Sequence, residues 1–337
     1  MIVSVLGAGS WGTALGVHLH ELGHAVTLWE FYPKLAASLL EKRENEKMLP
    51  GVFIPEAVRI TNDIAEALDG TEMVLFVVPT TAVRSTARLA SPHFDVRSQV
   101  VNAAKGIEKG TGARISTILT EELSGDLDGR TVTFSGPSHA EEVSRKIPTA
   151  IVAACPEIER AEMVQQVFSS ETLRVYTNVD QVGVELAGSL KNVIAVAAGV
   201  LDGLGFGDNT KGALLTRGLA EMSRLGTALG ADPLTFSGLS GMGDLITTCI
   251  SHHSRNRHVG EQIGLGRSLE EILADMVMVA EGVNTIQSAW ELAEKTGVDM
   301  PITRSMHEVL YEGKNVRQAV QELMTRDLKP ELEHHRG

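Results

Sequence analysis

The sequence predicts an α/β fold in which a mostly parallel sheet domain is followed by an all-helical C-terminal domain. Three observations carry this. Short apolar runs alternate with helical stretches through the first half of the chain, which implies crossover units. A glycine-rich turn joins the first such run to the first helix. Beyond about Val182 strand signals vanish, and alanine- and leucine-rich helical patterns run to about Met324. At 337 residues two domains are the natural expectation. The break falls between a first domain at 1–180 and a helical domain at 181–328, with a frayed tail at 329–337.

In chain order, Ile2–Leu6 is an apolar run stopped by glycine. Thr13–Leu22 reads as a helix closed by Gly23, and Ala25–Glu30 as the second strand. Further strands are expected at Glu72–Val78, Gln99–Asn102, Thr131–Ser135, Ile151–Ala154 and Leu173–Thr177. The helical half is punctuated at Gly230, Pro233, Gly266 and Pro301. There is no internal repeat and no low-complexity linker.

Composition narrows the function. A 43% hydrophobic and 22% charged chain is ordinary for a globular protein. The net charge of −13 disfavours nucleic acid and anionic membrane surfaces, though it allows a local basic pocket for a small anion. Two cysteines, Cys155 and Cys249, make no disulfide framework and point to a reducing compartment. The start, MIVSVLGAGS, lacks a basic leader and a cleavage site, so the expected location is the cytoplasm. The best membrane candidate, Leu186–Leu201, is a short run that carries a lysine and an asparagine, and no membrane insertion is expected.

Gly7-Ala8-Gly9-Ser10-Trp11-Gly12 is a G-x-G-x-x-G between a strand and a helix, with a second strand ending in an acid. Gly7 permits the tight turn, Gly9 lets backbone approach a pyrophosphate, and Gly12 allows close helix–strand packing. This makes the first domain Rossmann-like and the cofactor a dinucleotide. Glu30 sits near the offset of about 20 residues at which a carboxylate meets the adenosine ribose. It favours NAD by accepting from the 2′-hydroxyl and repels the 2′-phosphate of NADP. Phe31 and Tyr32 cannot pair with that phosphate, while Lys34 could partly rescue NADP.

The most unusual residue is Lys191, one cation in the neutral run LAGSLKNVIAVAAGVL. A helix apolar on every face is normally buried, and a buried lysine needs a reason. Desolvation lowers its pKa toward the range of proton exchange near neutrality. Small neighbours at Ala187, Gly188 and Ala195 leave room for a ligand. Alone, this reading competes evenly with a lysine that snorkels to solvent. Other segments decide the matter. Lys105 and Gly136-Pro137-Ser138 each follow a strand at the carboxyl edge of the sheet, where open α/β sheets bind ligands. Ser254 is a good N-cap, and the backbone donors it leaves beside Arg255 and Asn256 suit an anion. Together they favour a small phosphorylated substrate. His252, His253 and His258 lack metal-ligand spacing, so no metal is expected.

The blocks GAGSWGTALG, VNAAKGIE, SGPSHAEEV, ELAGSLKNVIAVAAGVLDGLGFGDNTKGALLTRGLAEM, GLSGMGDLITTC and SRNR resemble, in order, those of bacterial-type NAD(P)-dependent glycerol-3-phosphate dehydrogenases. The resemblance runs from Met1 to beyond Glu281. It implies hydride transfer between NAD(P)H and dihydroxyacetone phosphate, a role in phospholipid synthesis, and a homodimer. It implies Lys191 as proton acceptor with Asn192 beside it, and Lys105 touching both cofactor and substrate. Gly136 and Ser138 would line the substrate site, with Ala140 toward the nicotinamide. Asp244, Ser254, Arg255 and Asn256 match glycerol-phosphate positions. Arg255, Ser10, Trp11, Val279 and Glu281 match cofactor positions. Two departures stand out. Glu30-Phe31-Tyr32 replaces a segment that commonly holds an arginine, and His139 replaces a phenylalanine, leaving the roles of His139, His252 and His253 open. The alternatives are a 3-hydroxyacid dehydrogenase of the same architecture and a non-catalytic NAD-binding sensor.

Overall fold

The computed structural model describes residues 1–331 except 126, 277, 278 and 329. Most of the expected tail at 329–337 therefore lies outside the described residues. The strands are β1 (Ile2–Leu6), β2 (Ala25–Trp29), β3 (Glu44–Asn45), β4 (Leu49–Phe53) and β5 (Arg59–Thr61) in the first part of the chain. They are followed by β6 (Met73–Phe76), β7 (Gln99–Asn102), β8 (Val132–Ser135), β9 (Thr149–Ala154) and β10 (Leu173–Asn178). Eight form one sheet in the order β10-β9-β8-β7-β6-β1-β2-β5. Every pair is parallel except β8 with β9. This is the Rossmann-like sheet with a helical domain after it. The strands β6, β7 and β8 are buried along their whole length, as expected when helices cover both faces.

The sequence reading missed three strands. The segment β3–β4 is a small antiparallel pair, and β4 contains Pro50 and Gly51, which argue against a strand. The edge strand β5 is three residues long and gives too few positions for a periodic signal.

The order of strands reverses beside β1, which is paired with β2 on one side and β6 on the other. Such a switch point opens a crevice at the carboxyl ends of the strands. The turn after β1 enters that crevice, and so do the loops after β2, β6, β7 and β8.

Beyond β10 the chain is helical. The central helix, Gln181–Gly203, is buried at every residue from Leu186 to Leu201. By length and composition it could cross a membrane, yet its apolar window is entirely buried inside the protein. Glycines explain how tightly it is held. Gly199 and Gly203 face Gly260 and Gly264 of the helix Arg255–Gly264. A Cβ at Gly199 would collide with Arg257 O, and one at Gly260 with Val196 O. The two backbones therefore touch, and this contact fixes their register. One turn along, the same register brings Asn256 against Asn192, where Asn256 Nδ2 donates to Asn192 Oδ1 at 2.8 Å.

The sheet domain and the central helix are pinned by Glu185. Its buried carboxylate accepts from Ser116 N and Oγ and from Arg114 Nη1, at 2.6–2.8 Å. Asn102, at the end of β7, turns its Oδ1 to Ala104 N and so shapes the loop that carries Lys105.

Candidate active site

A cleft of about 710 Å³ runs from the glycine turn after β1 to the N-terminus of the helix Arg255–Gly264. At the first end, Gly7 has φ +114°, and a Cβ there would lie 2.9 Å from Val77 O. A Cβ at Gly12 would strike Gly7 O. Gly9 caps the helix Ser10–Glu21 in extended backbone without a side-chain hydrogen bond, so the first amide donors of the helix face the cleft unpaired by a cap. Trp11, on the same wall, has a buried Nε1 with no partner among the described residues.

Glu30 directly follows β2 and is 7% exposed. Burial pushes its carboxyl above the usual range, against the pull of backbone amides such as Tyr32 N–H, which donates to Oε1 at 3.0 Å. Phe31 and Tyr32 are exposed and meet edge to face, with ring centroids 5.2 Å apart. These residues fit a dinucleotide whose pyrophosphate lies on the helix N-terminus and whose ribose reaches Glu30. Lys34 lies off the main cleft, in a smaller adjoining hollow with Lys42 and Lys47.

The other end is built around Asp244. Its Oδ1 accepts from Lys191 Nζ at 3.0 Å, and its Oδ2 from Lys105 Nζ at 2.8 Å. Thr248, one turn further on the helix Asp244–Ile250, accepts from Lys191 at 2.6 Å and donates to Asp244 Oδ1 at 3.1 Å. Burial lowers the Lys191 pKa to about 8; Asp244 opposes this and Lys105 adds to it. Burial would raise the Asp244 carboxyl, but the two lysines outweigh it and hold it below its ordinary value. Two of the three donors of Lys191 are thus fixed, and the third is free for an oxygen in the cleft.

Lys105 also donates to Gly136 O at 2.8 Å and to Ser138 Oγ at 3.2 Å. To touch a substrate oxygen it would have to give up the longer contact. Asn192 Nδ2 has only a 3.5 Å approach to Lys105 O, so its amide hydrogens are largely available. Ser254 caps its helix, as its sequence context implies, by accepting from Arg257 N at 3.2 Å. Arg255 lies in the cleft with Nη1 on Val279 O at 2.9 Å. Glu281, also on the cleft wall, accepts from Thr80 N at 2.9 Å and leaves Oε2 buried without a partner among the described residues. Burial is the main cause of its raised pKa.

Several expected contacts are placed differently. Asn256 lines the cleft, but its amide is engaged at both ends, by Asn192 Oδ1 and by Gly282 N at 2.9 Å. Asp244 lines the cleft too, with each oxygen accepting from a lysine. Ala140 packs in a small apolar cluster with Ala14 and Leu49 and is not on the cleft wall. Gly136 meets the site through its carbonyl on Lys105. Thr248 was missed; its signal was the one-turn spacing from Asp244. His139 and His253 both line the cleft, with ring centroids 5.8 Å apart, whereas His252 does not. Among the described residues no group of three His, Cys, Asp or Glu side chains could hold a metal ion. Cys249 is buried, and burial pushes its thiol up to about 12.

The chain matches two family models, NAD-dependent glycerol-3-phosphate dehydrogenase N-terminus over residues 2–161 and C-terminus over residues 180–321. It is 53% identical over 333 residues to the glycerol-3-phosphate dehydrogenase [NAD(P)+] of Prosthecochloris aestuarii, covering 98% of this chain and 100% of that one. The Thermoanaerobacter sp. protein of the same name is 53% identical over 332 residues, covering 98% and 99%. Among solved structures, glycerol-3-phosphate dehydrogenase from Coxiella burnetii superposes with a TM-score of 0.92 at 35% identity, over 96% of this chain and 99% of that one.

Proposed function

This chain belongs to the NAD-dependent glycerol-3-phosphate dehydrogenase family, and from that premise we propose how its own residues carry the reaction. The enzyme catalyses reversible hydride transfer between NAD(P)H and dihydroxyacetone phosphate, giving sn-glycerol 3-phosphate. The observation that carries the assignment of roles is the buried Lys191, gripped by Asp244 and Thr248 with one donor left over.

When bound, the nicotinamide supplies the hydride in reduction and takes it back in oxidation. In reduction Lys191, as ammonium, gives its free proton to the oxygen on the central carbon. In oxidation, as neutral amine, it takes the hydroxyl proton. With a pKa of about 8 it reaches both forms near neutral pH, as a general acid–base group must. Asp244 and Thr248 hold its nitrogen in place, and Asp244 keeps Lys105 beside it. Lys105 and the Asn192 amide steady negative charge as it builds on the oxygen. Arg255 and the helix N-terminus behind Ser254 hold the phosphate, which uses binding energy remote from the reacting carbon to position that carbon. Asn256 orients Asn192 and offers its one remaining amide hydrogen.

At the far end of the cleft, Glu30 selects NAD over NADP by accepting from the ribose 2′-hydroxyl. Supply of glycerol phosphate for phospholipid synthesis and a homodimer, which rest on the family resemblance, and a cytoplasmic location, which rests on the free cysteines, complete the proposal. The experiment is oxidation of NADH, with NADPH in parallel, driven by dihydroxyacetone phosphate on the purified protein. Oxidation of NADH well ahead of NADPH supports both the reaction and the role of Glu30. Equal rates would remove the Glu30 argument, and no oxidation of either would remove the reaction itself.

A further inference from the structure

The substrate carries three polar groups, and the roles above account for two. The central oxygen belongs to Lys191 and the phosphate to Arg255. The terminal hydroxyl of the third carbon has no assigned partner. The polar side chains at this end of the cleft leave few choices. Asp244 Oδ1 is filled by Lys191 and Thr248 and its Oδ2 already holds Lys105, while Thr248 Oγ1 bridges Lys191 and Asp244. Ser138 Oγ donates to Gly136 O and accepts from Lys105. Ser254 Oγ is held as a helix cap, accepting from Arg257 N.

His139 differs from these in that its side chain is engaged by no hydrogen bond among the described residues. It lines the cleft next to Ser138, half-buried, and neither ring nitrogen has a hydrogen-bond partner among the described residues; Nε2 is fully shielded from solvent. Nε2 is out of a ligand's reach, so the nitrogen open to a hydroxyl in the cleft is Nδ1. The charge of Lys191 reaches this ring, as do those of Lys105 and Asp244, so it stands near the reacting centre. Burial first, and then Lys191, lower its pKa and so favour the neutral imidazole. A neutral imidazole has one donor nitrogen and one acceptor nitrogen, which suits a hydroxyl that also does both. The exposed His253 ring, tilted 54° against it, closes the outer side of this corner.

We propose that His139 is a specificity-determining residue that hydrogen-bonds the terminal hydroxyl of the three-carbon substrate. The inference rests on the dehydrogenase reading above. Its test compares dihydroxyacetone phosphate with hydroxyacetone phosphate, which lacks only that hydroxyl, as NADH-dependent substrates of the wild type and of His139→Phe. A lost hydrogen bond of this kind is worth about tenfold in kcat/KM, and more where a buried partner is stranded. The wild type should prefer dihydroxyacetone phosphate by at least that factor, and His139→Phe should bring the ratio close to unity. The ratio cancels any loss of folded protein, and His139→Asn, which keeps a donor and an acceptor, should recover part of the preference. An equal fall on both substrates in His139→Phe, or no preference in the wild type, would overturn the proposal and leave His139 as a packing ring against His253. Turnover of neither substrate by the wild type would instead overturn the dehydrogenase reading on which it rests.

Discussion

Lys191 Nζ stands 3.0 Å from Asp244 Oδ1, and both side chains are almost wholly buried. The pair is not an isolated salt bridge, because the same carboxylate holds Lys105 at 2.8 Å. One negative charge thus serves two positive ones in a desolvated pocket. The two lysines keep Asp244 ionised, while burial favours the neutral form of Lys191, with Lys105 adding to it and Asp244 opposing it. A lysine ready to release a proton near pH 8 is the consequence.

Asp244→Asn removes the shared anion while keeping the shape. Both lysines lose their fixed positions, and Lys191 loses its main stabilising charge. We expect kcat to fall by about two orders of magnitude or more, in the range seen when an oriented general acid or base is misplaced. Steady-state kinetics with NADH and dihydroxyacetone phosphate measure this, and a fall under fivefold would show that Asp244 is dispensable.

The pH dependence has a definite sign. Reduction needs the ammonium form of Lys191, which dominates below about pH 8, so kcat for reduction should decline as pH rises through that value. Oxidation needs the neutral amine and should rise over the same interval. Opposite limbs in the two directions, read from initial rates between pH 6 and 10, are the expected outcome. Parallel limbs would place the titrating group elsewhere.

Glu30 is buried at the end of β2, where a 2′-phosphate would meet a carboxylate that burial already disfavours as an anion. Glu30→Gln removes the repulsion and retains an acceptor. The NADH-to-NADPH ratio of kcat/KM should shrink by roughly tenfold, on the scale of one charged contact. An unmoved ratio would mean that cofactor choice is made elsewhere along the cleft.

The glycine contact between the two central helices makes a stability prediction with a functional tail. At Gly260 a side chain would meet backbone, the carbonyl of Val196, which cannot swing aside. Gly260→Val should cost about 2–4 kcal/mol, as overpacking at a rigid contact does. Because the same register pairs Asn256 with Asn192, kcat should also fall in whatever fraction stays folded. Thermal unfolding together with activity per folded molecule checks both halves.

What the sequence discloses and what it hides follow a physical division. The glycine turn, Glu30 and Lys191 are legible because each is a local anomaly: glycines at turn spacing, an acid closing a strand, a cation in an apolar helix. The strand β6 is legible because burial on both faces leaves a continuous apolar run, Met73–Phe76. The grip on Lys191 is not legible, because its partners Asp244 and Thr248 lie 53 and 57 residues away. The pairing of Asn256 with Asn192 spans 64 residues and depends on a helix contact that only packing reveals. Resemblance found Asp244 and Asn256 but assigned both to the substrate. Both line the cleft, where Asp244 also holds the two lysines and Asn256 also meets Asn192 and Gly282.

The most direct test of the central claim is Lys191→Ala, assayed for both turnover and cofactor binding. The account predicts that dihydroxyacetone phosphate-dependent oxidation of NADH falls by at least about a thousandfold, as expected for a proton carrier that also places charge. NADH affinity, read by quenching of protein fluorescence, should stay within about threefold, since a separate end of the cleft holds the nucleotide. Substantial turnover without Lys191, or loss of NADH binding together with turnover, would contradict it.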